Sequence, residues 1–251
     1  MLLRRIAACC AILAGLLYSS MAAAQQSIRI NQPWEFLKGD LGGIWEAVRP
    51  AAPQSPESVP LWQPVTLPHC FNARDAVDPD ENYYEGPGWY RTLLDIRNPY
   101  DNGHLSLHFE GAGQKTTVYV YTTKAGSHTG GYDEWTADIT TAVNDFLKSP
   151  EAKRFKGKVP VAIRCDNTRD LQMIPSDMSD FNLYGGLYRY VNIVYTPALS
   201  FDVFHVQAQT DAAGKTGTLS GSAFFLNPGN IATAALELRV LDPQHKLVKE
   251  I

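Results

Sequence analysis

Cysteine, histidine clusters, positive charge and long apolar runs are all scarce in this chain, and each shortage removes a class of protein. Four cysteines occur in 251 residues. Cys9 and Cys10 lie in the extreme N-terminal segment, which leaves Cys70 and Cys165. Two thiols do not make a disulfide framework, and the expectation is a pair of unpaired, mostly buried side chains. The six histidines show no metal-ligand spacing with one another or with either cysteine. No metal and no cofactor is therefore expected. Residues 25–251 carry 20 basic and 26 acidic side chains, a net charge of −6, so nucleic acid is not an expected partner. Beyond residue 24 no apolar run is long enough for a membrane helix, and no membrane span is expected.

The one apolar run that does occur is short and N-terminal. Arg4 and Arg5 precede Ile6 to Tyr18, and Ala22-Ala23-Ala24 supplies small residues for cleavage. This pattern predicts a secretory signal peptide over 1–24 and an exported protein, periplasmic or extracellular.

The remaining chain is dominated by alternation in short runs separated by turn residues, which predicts antiparallel β-structure. Tyr90, Thr92, Leu94 and Ile96 share one face of a run. Leu105, Leu107 and Phe109 alternate with Ser106, His108 and Glu110, and Val118 with Val120 continues the pattern. Val159, Val161, Ile163 and Cys165 form another face, and Val191 with Ile193 another. One helix is expected, capped by Asp138, with Ile139, Val143, Phe146 and Leu147 on one side and an end near Ser149-Pro150. The fold class is all-β: a jelly-roll sandwich over 25–197. Thr196-Pro197-Ala198 marks a boundary, after which strands are expected at Phe201 to Gln209, Thr218 to Leu226, Ala232 to Leu241 and Lys246 to Ile251. An immunoglobulin-like sandwich needs about seven strands and about 100 residues, so 198–251 reads as the incomplete beginning of one.

The stretch from Asp180 to Arg189, Asp-Phe-Asn-Leu-Tyr-Gly-Gly-Leu-Tyr-Arg, carries the most chemistry. Gly185 and Gly186 permit a sharp turn and close backbone approach. Asp180 and Asn182 then stand at the rim of a β-structure, where a carboxylate and an amide together suit vicinal hydroxyls, with Phe181, Tyr184 and Tyr188 supplying apolar surface. An Asx turn entering a strand is the alternative reading.

Companion motifs accompany this loop in a fixed order. Leu67-Pro68-His69-Cys70-Phe71-Asn72 precedes Tyr84-Glu85-Gly86-Pro87-Gly88-Trp89-Tyr90-Arg91. Phe109-Glu110-Gly111, His128-Thr129-Gly130-Gly131-Tyr132 and Arg164-Cys165-Asp166-Asn167 follow. Together they resemble the N-terminal sugar-binding domain of glycoside hydrolase family 2, which includes β-galactosidases, β-glucuronidases and β-mannosidases. The resemblance covers about Trp34 to Pro197.

The resemblance implies retaining hydrolysis by two glutamates on a later (β/α)₈ barrel, a fold of about 250 residues. No catalytic residue is expected in the present chain, and the missing barrel becomes an expected partner, along with a terminal β-linked sugar. Sodium or magnesium ions occur in some members, with ligands largely outside this segment. By the same resemblance Asp180 contacts the terminal sugar. Asn182 shares that loop or braces its turn, and Asn72 and Asp75 are further substrate-binding candidates. Arg189 is expected in a structural ion pair, Glu110 as a rim residue rather than a catalyst, and the Gly130-Gly131 turn as structural. The expected activity is β-galactoside hydrolysis, with a β-mannosidase or β-glucuronidase fragment, or a stand-alone carbohydrate-binding module, as alternatives; homo-oligomerisation is compatible with each.

Overall fold

The computed structural model describes residues 25–49, 62–78, 80, 82–176, 178, 181–226, 231, 233–234 and 236–251. The segment read as a signal peptide and Asp180 lie outside the described residues.

The first strands are β1 (Gln26–Arg29), β2 (Trp34–Lys38), β3 (Gln63–Val65) and β4 (His69–Cys70), followed by β5 (Pro87–Leu94), β6 (His104–Phe109), β7 (Lys115–Val120) and β8 (Thr123–Thr129). Next come β9 (Trp135–Asp138), β10 (Val159–Asp166), β11 (Gly186–Leu187) and β12 (Val191–Thr196), and then β13 (Ser200–Thr210), β14 (Gly217–Leu226), β15 (Arg239–Leu241) and β16 (Leu247–Glu250). Among the described residues two helices, α1 (Ile44–Val48) and α2 (Thr140–Lys148), accompany them, with a 3₁₀ turn over Pro150–Phe155.

The protein is all-β. A four-stranded sheet in the order β1-β12-β6-β9 faces a six-stranded sheet in the order β3-β2-β5-β10-β7-β8. Paired strands run antiparallel throughout. Alternation decides which side chains lie between the sheets: Leu105, Leu107 and Phe109 are buried while Ser106 and His108 are half-buried on the opposite face. They meet Val118, Val120, Val161, Ile163 and Cys165 from the other sheet in one core with Trp34, Tyr90 and Ile193. Each fully buried side chain of this size contributes about 1.5–3 kcal/mol relative to exposure. Phe109 and Trp135 stack with ring centroids 4.3 Å apart, closing that end of the core.

The sequence pattern anticipates a single helix, and two differences emerge. The five-residue α1 covers the outer face of the six-stranded sheet, forming a small second cluster of Ala47, Val48, Trp89 and Ala162. Trp89 and Tyr90 consequently enter opposite layers. Its five residues fall below the length at which helical periodicity is readable. In α2 the Asp138 Oδ1 accepts the Thr140 amide at 2.8 Å, although the N-cap position falls one residue later than expected, at Ile139, and Val143 and Phe146 are buried. Leu147 is 40 % exposed rather than inward, because one residue past Phe146 rotates about 100° away from the core-facing stripe.

Past Thr196 the described residues form two hairpins. β13 pairs with β14 and β15 with β16. The strand expected from Ala232 begins only at Arg239 among the described residues, and Ala232 lies outside them.

Candidate functional site

Three loops converge where β4 pairs with β11. Gly186 lies opposite Cys70 and Leu187 opposite His69, and the Phe71 amide donates to the Gly185 carbonyl at 3.1 Å. Both glycines are required. A Cβ on Gly185 would stand 2.1 Å from the Phe71 ring, while Gly186 has φ +115° and a Cβ there would meet the Tyr90 hydroxyl at 2.4 Å and the His69 carbonyl at 2.7 Å.

Beneath this turn lies a buried network of amides. Asn72 is 1 % exposed. Its Nδ2 donates to the Leu183 carbonyl at 2.8 Å and to Asn182 Oδ1 at 3.4 Å, and its Oδ1 accepts the Gly185 amide at 2.8 Å. Asn167, 0 % exposed, donates to the carbonyls of Leu183 at 2.7 Å and Tyr84 at 2.8 Å and accepts the Gly86 amide at 2.9 Å. Asp75, 4 % exposed, accepts the Tyr84 amide at 2.6 Å. On the rim, Arg169 bridges Glu85 at 2.9 Å and donates to the Phe181 carbonyl at 2.5 Å.

Two of the residues expected to bind substrate, Asn72 and Asp75, lie buried in this network. Asn72 and Asp75 point into the protein and brace loops, because their polar atoms satisfy backbone groups that turns leave unpaired. Asn182 is half-buried; its Oδ1 accepts from Asn72, and its Nδ2 is buried without a hydrogen-bond partner among the described residues. Asn167, which the sequence presents inside a motif but with no role of its own, proves to join three loop segments through a fully buried side chain. Its signal is an asparagine directly after an alternating strand, at the point where the ladder ends and backbone groups need partners.

The aromatic residues divide. Phe181 is 67 % exposed and Tyr184 is exposed as well, whereas Tyr188 turns inward and its hydroxyl donates to the Gly131 carbonyl at 2.5 Å. Burial pushes the Tyr188 phenol well up from its ordinary pKa. Gly131 packs directly on Gln114, where a Cβ would come within 2.4 Å of its amide oxygen, so the Gly-Gly turn is structural. The ion pair expected of Arg189 is replaced by a 3.4 Å hydrogen bond to the Glu110 carbonyl. The Glu110 carboxylate is already engaged by Arg29 at 3.4 Å and Asn192 at 3.3 Å.

Below the turn, His69 Nδ1 lies 2.8 Å from the Tyr90 hydroxyl. Burial lowers the His69 pKa and raises that of Tyr90. Burial also raises both thiols, Cys165 to about 12, and both cysteines are free. The polar groups thus assembled shape and hold the 181–185 turn. Among the described residues they include no cluster of three or more metal-ligating side chains.

No protein-family model matches the chain. Among solved structures, the β-glucuronidase of Parabacteroides merdae superposes with a TM-score of 0.83 and 62 % sequence identity, over 90 % of this chain and 29 % of that one. Among curated proteins, the β-glucuronidase of Bacteroides fragilis is 30 % identical over 187 residues, 72 % of this chain and 22 % of that protein. The β-galactosidase of Thermoanaerobacterium thermosulfurigenes is 27 % identical over 167 residues, 66 % of this chain and 21 % of that protein. The relatives are thus glycoside hydrolases, and the chain spans under a quarter of the length of the curated ones it matches.

Proposed function

We propose that this chain is the N-terminal portion of an exported, retaining β-glycosidase of glycoside hydrolase family 2, and that it acts as a β-glucuronidase. The carrying observation is its 62 % identity to the P. merdae β-glucuronidase across 90 % of its length. In this reading residues 1–24 are a signal peptide, 25–197 a sugar-binding jelly roll, and 198–251 the start of an immunoglobulin-like domain. Catalysis belongs to a barrel beyond them, where two carboxyl groups about 5–5.5 Å apart serve as nucleophile and acid/base.

The segment from Asp180 to Tyr184 supplies one wall of the pocket that receives the terminal sugar. Asp180 accepts from the sugar's hydroxyls. Asn182 lies two residues on in the same wall. Asn72 and Asp75 act from beneath as braces. β-Galactoside cleavage is the second reading, favoured by the T. thermosulfurigenes relative.

The test is hydrolysis of 4-nitrophenyl β-glucuronide and β-galactoside by an enzyme joining this segment to its catalytic barrel. Preference for the glucuronide is expected, with none of either cleaved by residues 25–251 alone. Preference for the galactoside selects the second reading, and cleavage of neither by the joined enzyme overturns the proposal.

A further inference from the structure

The Leu183 carbonyl accepts two buried amides at once, Asn72 Nδ2 at 2.8 Å and Asn167 Nδ2 at 2.7 Å. A carbonyl oxygen has two lone pairs, and both are used. The donors arrive from different places, Asn72 just after β4 and Asn167 just after β10. Asn72 Oδ1 also holds the Gly185 amide of the same turn, and Asn167 also holds Gly86 and Tyr84 on the connection between β4 and β5. Both amide hydrogens of Asn167 therefore have a carbonyl. A buried amide bonded on every side has one geometry, since losing any partner strands a polar group away from water.

Strand pairing does not reach this segment until Gly186. Leu183 is therefore fixed by side chains rather than by a ladder. We propose that Asn167 is a positioning residue which, with Asn72, clamps the Leu183 carbonyl and so sets where the 181–185 turn and the sugar-facing residues before it stand. Its effect on substrate rests on the glycosidase reading above; the clamp itself is measurable without any substrate.

Asn167→Asp is the informative substitution. It keeps the side chain's shape and the acceptor for Gly86, but turns a carboxylate oxygen toward two carbonyls. Protonation restores one donor. The ionisable groups on the elements packed around it are already occupied: Asp75 by the Tyr84 amide, the Tyr84 hydroxyl by the Pro87 carbonyl, Glu85 by Arg169, Asp166 by Arg164 and Thr168, and the Cys70 thiol by Asn72. His69 on β4, hydrogen-bonded to Tyr90, takes up a proton in parent and variant alike as pH falls, so the difference between the two at each pH isolates the introduced carboxyl.

Amide hydrogen exchange in residues 25–251, corrected for intrinsic rates, provides the measurement. In Asn167→Asp at pH 8 the Phe71 and Gly185 amides exchange at least tenfold faster than in the parent, while β6 amides are unchanged. At pH 5 the difference shrinks by at least half. Unchanged exchange, or a uniform rise that includes β6 and does not recover at pH 5, overturns the clamp. If the aspartate variant does not fold at pH 8, Asn167→Ala is measured instead, and exchange confined to the same two amides supports the clamp while uniform exchange overturns it.

In the joined enzyme, Asn167→Asp raises KM for the aryl glycoside at least fivefold at pH 8 with kcat within twofold of the parent, and the KM ratio falls toward one at pH 5. A responsive loop with unchanged KM removes the substrate role and leaves the glycosidase reading standing. An inactive parent enzyme instead removes that reading and leaves the clamp.

Discussion

Residues 26–196 and residues 200–250 carry the same alternating pattern and meet opposite fates. In the first region Leu105, Leu107 and Phe109 are sealed against a second sheet. In the second, Phe204, Val206 and Leu219 occupy one face of the β13–β14 hairpin with Phe201 and Phe225, and every one of them is exposed. Phe201 and Phe225 meet at 4.8 Å, yet two strands bury little on their own. Alternation alone makes a strand amphipathic. Only a facing layer converts it into stability, and among the described residues the sandwich has such a layer while the β13–β14 face is exposed.

The largest expected effect falls on the sandwich. Phe109→Ala removes a fully buried ring that stacks on Trp135, and should cost about 3–5 kcal/mol in denaturant unfolding. Phe204→Ala in the hairpin should change the same transition by under about 0.5 kcal/mol. Equal costs would break the comparison and require a covered hairpin face.

Next in size is the loop end of the sandwich. Asn72→Ala leaves the Gly185 amide without its acceptor and should destabilise by about 1–3 kcal/mol in thermal or chemical unfolding. A loss below a few tenths of a kcal/mol would mean that water replaces the side chain there.

Smaller shifts follow from titration. Burial lowers the folded-state pKa of His69 below its ordinary 6.5, so the unfolded chain takes up a proton more readily. The resulting stability is fully present above 6.5 and is lost as pH falls from there through the lowered folded value. For Asp40 burial works upward, but hydrogen bonds from Arg164 and Trp89 outweigh it and hold the carboxyl below 3.8. Its contribution is present above 3.8 and disappears as pH falls below that. A melting temperature that declines between pH 7 and 5 in the parent but less in His69→Gln would sharpen this assignment, and identical profiles would contradict it.

The smallest effect concerns the thiols. Cys165 is sealed in the core and Cys70 is half-buried at the turn. An alkylating reagent at pH 8 should label Cys70 first, with Cys165 reacting only on unfolding. Simultaneous labelling would show that the core opens with the loop.

Much of this architecture is legible in the sequence because a sandwich strand repeats every two residues. Leu105 to Phe109 and Val159 to Cys165 announce their faces without any knowledge of what lies opposite. The roles of Asn72 and Asn167 are less legible. An asparagine in a turn reads the same whether its amide faces a sugar or a carbonyl, and only the fold brings Leu183 between residues 72 and 167. Arg189 shows the same difficulty: its charge suggests an acid, but Arg29 and Asn192 reach the Glu110 carboxylate. The helix α1 escapes notice because five residues hold little more than one turn. The glycine pair was readable, since Gly185 and Gly186 leave no room for a Cβ beside Phe71 and Tyr90.

The most direct test of the sugar-binding account is the kinetics of Asp180→Ala in the joined enzyme. With an aryl β-glucuronide, kcat/KM should fall at least tenfold, about 1.4 kcal/mol of lost transition-state binding, while the melting temperature stays within a few degrees of the parent. Unchanged kcat/KM in a folded variant would contradict the claim that this segment forms a wall of the active site.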